Sequence, residues 1–599
     1  MGATMKALRV SGLAVFLTAM GLVSSQELQW TNPGNYDYDA HFLTTPAEVA
    51  YPTGTAPGYD ATLAHSAAFN PKVAGMDFQS DGKMFLLDWV DFGRVAKIYL
   101  LDGVNGNPET IKSTLIADSI LEPMGLKLVD GELFCTAQDG LWKYTKSTVA
   151  GAKYVKSLVT NYAGLNKTRY QGFPIMFNTV YQAGSLYYSL GAYKNFDPLK
   201  NEGYVVKVTE ATGVQEIIAR GIRMPNGMAA NPQGDLFFAD NQGEFRPSSG
   251  IFHVIKGKHY GMGTPNGDSG NTGGAMTNFR PLPPKDSIQT AAVHIPYRPG
   301  SASVTNLFYL DTPPFNGQFL VGDNAYGVVN RVFMEKVKGV YQGAAIQFSG
   351  VLEAGIQSFA KGPDGTLYGG ALGVDANGWN WLGKLTGLMK WKPNGDPFNS
   401  ILSVSSQQQG FDLTFTEPLA ANAANPDFYW VTSYYYQPTS AYGGAKLDSK
   451  KMKINRIRVS TDRRTVALYI EGLTAGRVYR IALSPSLSTE AGDQIWAKTA
   501  VYTLNVISDA QPLNPQNILS IRASTNSSDR FNIRGSKALI KIVEKGPFMI
   551  TLADIRGVVM QRVVGDGPME KEIDLPNKSG IQYLTLSLPA GRFTKEIFQ

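Results

Sequence analysis

The 599-residue chain is expected to be all-β: a six-bladed β-propeller, then an Ig-like β-sandwich, then a small C-terminal β-sandwich. Three observations predict this. A hairpin pattern of small apolar strand, Asx/Gly turn, Leu/Phe/Tyr strand and polar end recurs six times. The composition, with 63 Gly, 29 Tyr and 29 Phe, favours turn-rich β structure. Beyond about residue 400 the repeat stops, while short alternating strands continue.

Residues 1–25 read as a secretory leader. Lys6 and Arg9 form a basic start, Ser11 to Val23 an apolar core, and Val23-Ser24-Ser25 a small-residue cleavage site before Gln26. The apolar run is short for a membrane span, and no later stretch is longer, so no transmembrane segment is expected. Residues 26–60, rich in Pro, Gly, Thr and Tyr, read as an extended lead-in. The propeller is assigned to 61–402. Its hairpins are Gly75–Asp88, Gly125–Ala137, Asn178–Gly191, Asn226–Asp240, Phe315–Asp323 and Ser358–Ala371, the first four about fifty residues apart. That spacing accommodates a four-stranded blade, and ring closure protects the sheet edges. Gly261 to Pro299 is a Gly/Pro/Asn-rich insertion.

The sandwich is assigned to 405–507, with strands at Gly410, Lys453, Thr465, Val478 and Val501 and an aromatic loop at Tyr434-Tyr435-Tyr436. A polar linker, 508–520, leads to the last module, 521–599. A net charge of +6 is small for this length and gives no support to a nucleic-acid partner. The single Cys135 excludes an intramolecular disulfide framework, and no c-type haem motif is present, so no haem is expected.

Propeller ligands gather where blade loops converge at one mouth of the channel. The polar residues at blade ends are therefore the candidates: Asp88, Gln138, Asp139, Asn178, Arg223, Asn226, Asp240, Asn241, Gln242, Arg246, Asp323, Asn324 and Arg331. Within Arg223–Gln242 a cation, amides and a carboxylate recur beside one strand pair, which makes this stretch the centre of the expected site.

Arg223–Gly243 with Ile251–Gly261 resembles the glucose/sorbosone dehydrogenase propellers. Phe315–Ala344, Lys361–Gly370, Lys384–Trp391 and Gly410–Pro418 resemble the dehydrogenase-like propellers found beside haem-binding modules in secreted bacterial proteins. The resemblance spans roughly residues 65 to 505. It implies oxidation of a sugar or alcohol with pyrroloquinoline quinone and calcium. Arg223, Asn226, Asn241, Gln242, Arg246, Asp323 and Arg331 would then line the cofactor site, and Asp240 would hold the metal. The family's proton-abstracting His is replaced by Phe177-Asn178, and an amide does not accept a proton near neutral pH. His253, in an alternating strand, reads as a packed residue and not as a substitute base.

Asn226–Ala229 also resembles the gluconolactonase-like propellers, which bind a divalent cation. The first blade, Ala74–Asp77, lacks their Glu-Gly-Pro ligand. The competing class is a non-catalytic propeller that binds carbohydrate or surface polymer through Tyr187-Tyr188, Trp379-Asn380-Trp381 or Tyr434 to Tyr436. Finally, Ile550–Val563, Ser579–Leu586 and Thr594–Ile597 resemble the C-terminal sorting domain of type IX secretion substrates. That implies the type IX machinery as a partner and a secreted or cell-surface location.

Overall fold

The computed structural model describes residues 54–91, 95–148, 154–161, 169–170, 173–174, 176–192, 203–263, 271–272, 275–276, 281–297, 300–373, 380–511, 531–534, 537–554, 559–575, 581–588 and 591–598. The expected leader, Trp379, most of the lead-in and most of the linker lie outside these residues.

Six four-stranded antiparallel units form the ring, as the repeat predicts. Blade one is Val73–Phe78, Met84–Asp91, Val95–Asp102 and Lys112–Ile120. Blade two is Gly125–Val129, Glu132–Ala137, Gly140–Thr145 and Val155–Thr160. Its first hairpin turns on Asp130-Gly131, with φ of 48° and 84°. Positive φ at both turn positions matches the right-handed twist of the flanking strands and is cheap for Asp-Gly. Blade three is Met176–Gln182, Ser185–Leu190, Tyr204–Thr209 and Gln215–Arg220. Blade four is Gly227–Ala230, Leu236–Asp240, Ser249–His253 and Val293–Ile295. Blade five is Val304–Leu310, Gln318–Asp323, Val328–Val337 and Val340–Gly350.

Blade six has strands Ile356–Lys361, Ala371-ending Leu367–Ala371 and Leu388–Pro393. Its fourth strand, Tyr59–Leu63, comes from the other end of the propeller, in register Tyr59 opposite Pro393 and Leu63 opposite Met389. The ring is therefore fastened by a strand that precedes blade one, at the end of the expected lead-in. Each blade's first strand lies against those of both neighbours around the axis. Between the blades, apolar side chains form successive cores. Phe85, Leu87 and Trp89 meet Leu133 and Cys135 between blades one and two; Leu320 and Phe348 meet Ile356 and Trp391 between five and six. Met76 and Met84 meet Ala360 and Tyr368 where six returns to one.

The sandwich is not a separate bead. One sheet is Ile401–Gln407, Gly410–Phe415, Thr465–Ile470 and Ile454–Val459. The other, Thr499–Leu504, Arg477–Leu483, Tyr429–Tyr435 and Leu447–Lys451, continues blade five: Val340–Gly350 pairs with Thr499–Leu504 in one eight-stranded sheet. Ala344 and Ile346 of blade five accordingly belong to the sandwich core with Phe411, Tyr479 and Tyr502. Tyr434 and Tyr435 were expected in a loop, but both lie in a strand, and Tyr434 is fully buried. Tyr188 is likewise buried in blade three.

The C-terminal module is a five-stranded antiparallel sheet around the long hairpin Lys537–Asp554 and Val559–Asp574. The register breaks between Ile542 and Gly546, and both halves of the first strand feed one core, with Ala538, Ile540, Phe548, Ile550 and Leu552. Residues 555–558 and 579–580 of the sorting-type pattern lie outside the described residues. Among the described residues no helix is long and apolar enough to cross a membrane.

Candidate functional site

Three blade ends share a device. In blades one, four and five an Asp in the later part of the second strand accepts from a backbone N–H that leads into the first strand. Asp88 accepts from Lys72 N at 2.9 Å in blade one. In blade four Asp240 accepts from Arg223 N at 3.1 Å and Met224 N at 2.6 Å. In blade five Asp323 accepts from Ser303 N at 2.8 Å, Ala325 N at 2.7 Å, the Ser301 hydroxyl and Tyr326 N. Asp240 and Asp323 are wholly buried, and such groups need their lone pairs satisfied. Burial pushes the Asp323 carboxyl up to about 6, against the donors that favour its charge.

These contacts decide what several expected site residues do. Asp240 also receives Arg246 Nε at 2.7 Å, while Arg246 donates to Gly221 O at 3.0 Å and lies over the Phe252 ring. The Asp240 carboxylate, expected to hold a metal, is thus engaged by three donors and closes the blade-four loop. Among the described residues there is no group of three or more His, Cys, Asp or Glu able to hold a metal ion. Arg331 stands elsewhere. Its guanidinium donates to Leu402 O at 2.9 Å, to Ile401 O and to Gln318 Oε1, and so ties blade five to the first sandwich strand. Asn178 adopts φ 66° in a bulge between Phe177 and Val180 and spends its amide N–H groups on Ser189 Oγ, 2.9 Å, and Pro225 O, 3.0 Å. His253 packs against Phe237 and Tyr341 beside Asp235, as a strand residue.

The remaining candidates converge. Arg223, Asn241, Gln242 and Asn324 line a cavity of about 70 Å³ at the mouth, with Phe177 and Tyr442. Arg223 Nε and one terminal nitrogen donate to Glu244 Oε2 at 3.0 and 2.9 Å. Both side chains are nearly inaccessible, so the pair is a buried, charge-compensated unit. Three polar atoms in the same cavity have no hydrogen-bond partner: Asn241 Oδ1, Gln242 Nε2 and Asn324 Oδ1. Their residues are 8%, 2% and 5% exposed, which marks these atoms as unsatisfied and not merely solvated. Two acceptors and a donor thus sit on residues that line one small space.

Below this cavity the channel opens into a second space of about 340 Å³, lined by all six first strands. Asn226 and Gln357 border both spaces. Sequence reasoning missed Glu244, whose only signal is its place two residues after Gln242. It also missed Gln357 and Tyr442, which reach the site from blade six and from the sandwich.

Among the described residues, the small mouth cavity does not by itself match the quinone. A fused three-ring quinone carrying three carboxylates needs uncompensated cations and ordinary ligand space, about 300 Å³ or more. Here the cavity is about 70 Å³, and Arg223 and Arg246 are matched by Glu244 and Asp240.

Comparison with known proteins gives structural neighbours only. No protein-family model matches the chain, and no curated protein matches it. Among solved structures, the chain is similar to a glucose dehydrogenase-type oxidoreductase from Thermus thermophilus, at 15% identity and TM-score 0.41, covering 56% of this chain and 99% of that one. An aldose sugar dehydrogenase from Streptomyces coelicolor, in its pyrroloquinoline quinone-bound form, shows 12% identity and TM-score 0.39 over 56% and 99% of the two chains. A gluconolactonase-type protein shows 14% identity and TM-score 0.34 over 58% and 97%.

Proposed function

We propose that this propeller binds a neutral, hydroxyl-rich ligand, a terminal unit of a saccharide, at its blade-four mouth, and that it does so without oxidising it. The observation that carries this is the set of unpartnered buried atoms Asn241 Oδ1, Gln242 Nε2 and Asn324 Oδ1 on residues that line one cavity. A hydroxyl both donates and accepts, so two adjacent hydroxyls satisfy this set, whereas an anion or a cation satisfies only part of it. The ion pairs Arg223–Glu244 and Arg246–Asp240 leave the mouth without net charge, which suits a neutral ligand. Asn178 at the base position has no proton to take or give near neutral pH. The cavity admits one or two hydroxyl groups, with the remainder of the ligand lying outside.

The test is calorimetric titration of the protein with a panel of neutral mono- and disaccharides, and separately with pyrroloquinoline quinone plus calcium. We expect saturable saccharide binding that weakens about tenfold in Gln242→Ala or Asn324→Ala, the loss of one hydrogen bond with its partner left buried. Saturable quinone binding that falls in Arg223→Ala, with no saccharide binding, would overturn this reading in favour of a quinone-dependent sugar dehydrogenase.

The proposal includes export. It is supported by the basic-apolar-small pattern of residues 1–25 and by the sorting-type pattern at Ile550–Val563, Ser579–Leu586 and Thr594–Ile597. Mass spectrometry of the exported protein checks it: a mature chain starting at Gln26 is expected, and a chain retaining Met1 inside the cell would refute it.

A further inference from the structure

Among the described residues, the loop 436–446 carries the sandwich to the propeller mouth. Residues 436–446 connect Tyr429–Tyr435 to Leu447–Lys451, two strands of the sheet that continues blade five. The loop's backbone is bonded to the blade-four loop at three points: Phe245 N to Thr439 O at 2.8 Å, Gly443 N to Gly243 O at 3.0 Å and Gly444 N to Pro247 O at 3.0 Å. Tyr442 and Glu244 form a β-bridge between them. Gly443 has φ +70°, a conformation that favours glycine, and a Cβ there would meet Gln242 Nε2 at 2.5 Å.

What this arrangement delivers is one aromatic ring. Tyr442 lines the cavity, with the Arg223 guanidinium 5.2 Å from its ring centroid. It remains half-buried, whereas Tyr434 at the root of the same loop is fully buried. Tyr442 keeps part of its surface and lines the same cavity as Asn241, Gln242 and Asn324, with Arg223 over its ring. An amphipathic ring on a rigid support is a low-entropy platform for the C–H face of a sugar whose hydroxyls point at amides.

We infer that Tyr442 is the specificity-determining residue of the mouth: it stacks on the pyranose ring whose hydroxyls enter the Asn241/Gln242/Asn324 cavity, so the sandwich supplies half of the ligand site. This rests on the saccharide-binding reading above. Stacking of this kind selects among epimers, because an axial hydroxyl on the stacked face holds the ring away from the aromatic plane.

The experiment compares the whole chain with Tyr442→Ala and Tyr442→Phe, titrating each with glucose, galactose and mannose. We expect wild type to prefer one epimer. Tyr442→Ala should weaken that sugar about tenfold and flatten the preference, while Tyr442→Phe should stay within about threefold of wild type, since the ring and not the hydroxyl is used. Thermal midpoints of the variants report folding, and the Phe variant keeps the test alive if the Ala variant unfolds: a tenfold loss in Tyr442→Phe would also refute stacking. Unchanged affinity and preference in Tyr442→Ala would overturn the inference and leave the saccharide reading standing. Absence of binding to wild type by every sugar would overturn both.

Discussion

Asn226 of blade four and Gln357 of blade six exchange two amide hydrogen bonds over blade five, Gln357 Nε2 to Asn226 Oδ1 at 2.8 Å and Asn226 Nδ2 to Gln357 Oε1 at 3.3 Å. Both are almost inaccessible, and together they form a partition between the small mouth cavity and the wide channel. Removing one partner leaves the other's amide buried and unmatched. Asn226→Ala should cost about 1–3 kcal/mol in urea unfolding, and Asn226→Ala/Gln357→Ala should cost less than the sum of the two single changes. Full additivity would show that the pair is not coupled.

Glu244 is the counter-ion that keeps Arg223 tolerable inside the protein. Glu244→Gln leaves an almost inaccessible guanidinium uncompensated, and a loss of about 3–5 kcal/mol is expected. The double change Glu244→Gln/Arg223→Met should recover much of that. Chemical denaturation of the three variants measures it, and a Glu244→Gln protein as stable as wild type would rule out the compensated pair.

Asp323 makes stability depend on pH. Its carboxyl, raised by burial from 3.8 to about 6, holds a proton more tightly in the folded chain than in the unfolded one. The folded state therefore binds more protons between about pH 4 and 6, and this contribution is present at the acid end and is lost as pH rises through 6. Asp323→Asn, which has no titration, should be less stable overall because it loses acceptors. Its stability difference from wild type should narrow from pH 4.5 to pH 7. A difference independent of pH would show that Asp323 titrates normally.

The shared sheet predicts where the chain can be cut. A chain ending at Ser400 would expose Val340–Gly350, an eleven-residue and largely apolar edge strand whose partner Thr499–Leu504 is gone. That truncation should aggregate in light scattering. A chain ending at Gln511 should keep the thermal midpoint of the propeller and sandwich, because the last module has its own core. A soluble monomer from the first truncation would contradict this account.

The blades were legible in the sequence because each hairpin is local: an Asx/Gly turn and two alternating strands lie within about fifteen residues, as in Asn226–Asp240. The cluster Arg223, Asn241 and Gln242 was legible for the same reason. What the side chains do there was not. Whether Asp240 binds a metal or closes a loop depends on Arg246 and two backbone N–H groups that only the folded turn aims at it. Tyr442 and Gln357 were invisible, since the partners they meet at the site, Arg223 and Glu244 for one and Asn226 for the other, are more than a hundred residues away in the chain. Tyr434-Tyr435 read as a loop because strand and aromatic loop share a composition, and burial decides between them.

The strand Tyr59–Leu63 has a consequence for assembly. Its partner, Leu388–Pro393, is separated from it by more than three hundred residues, and bringing such distant segments together costs about 5 kcal/mol of chain entropy. No single edge of blade six repays that unless the intervening blades have already brought the two ends side by side. During synthesis, which delivers the amino end first, these five residues must wait unpaired until blades one to five and most of six have formed. The strand works as a latch fastened last, and a chain stalled before residue 388 has no way to shut the ring.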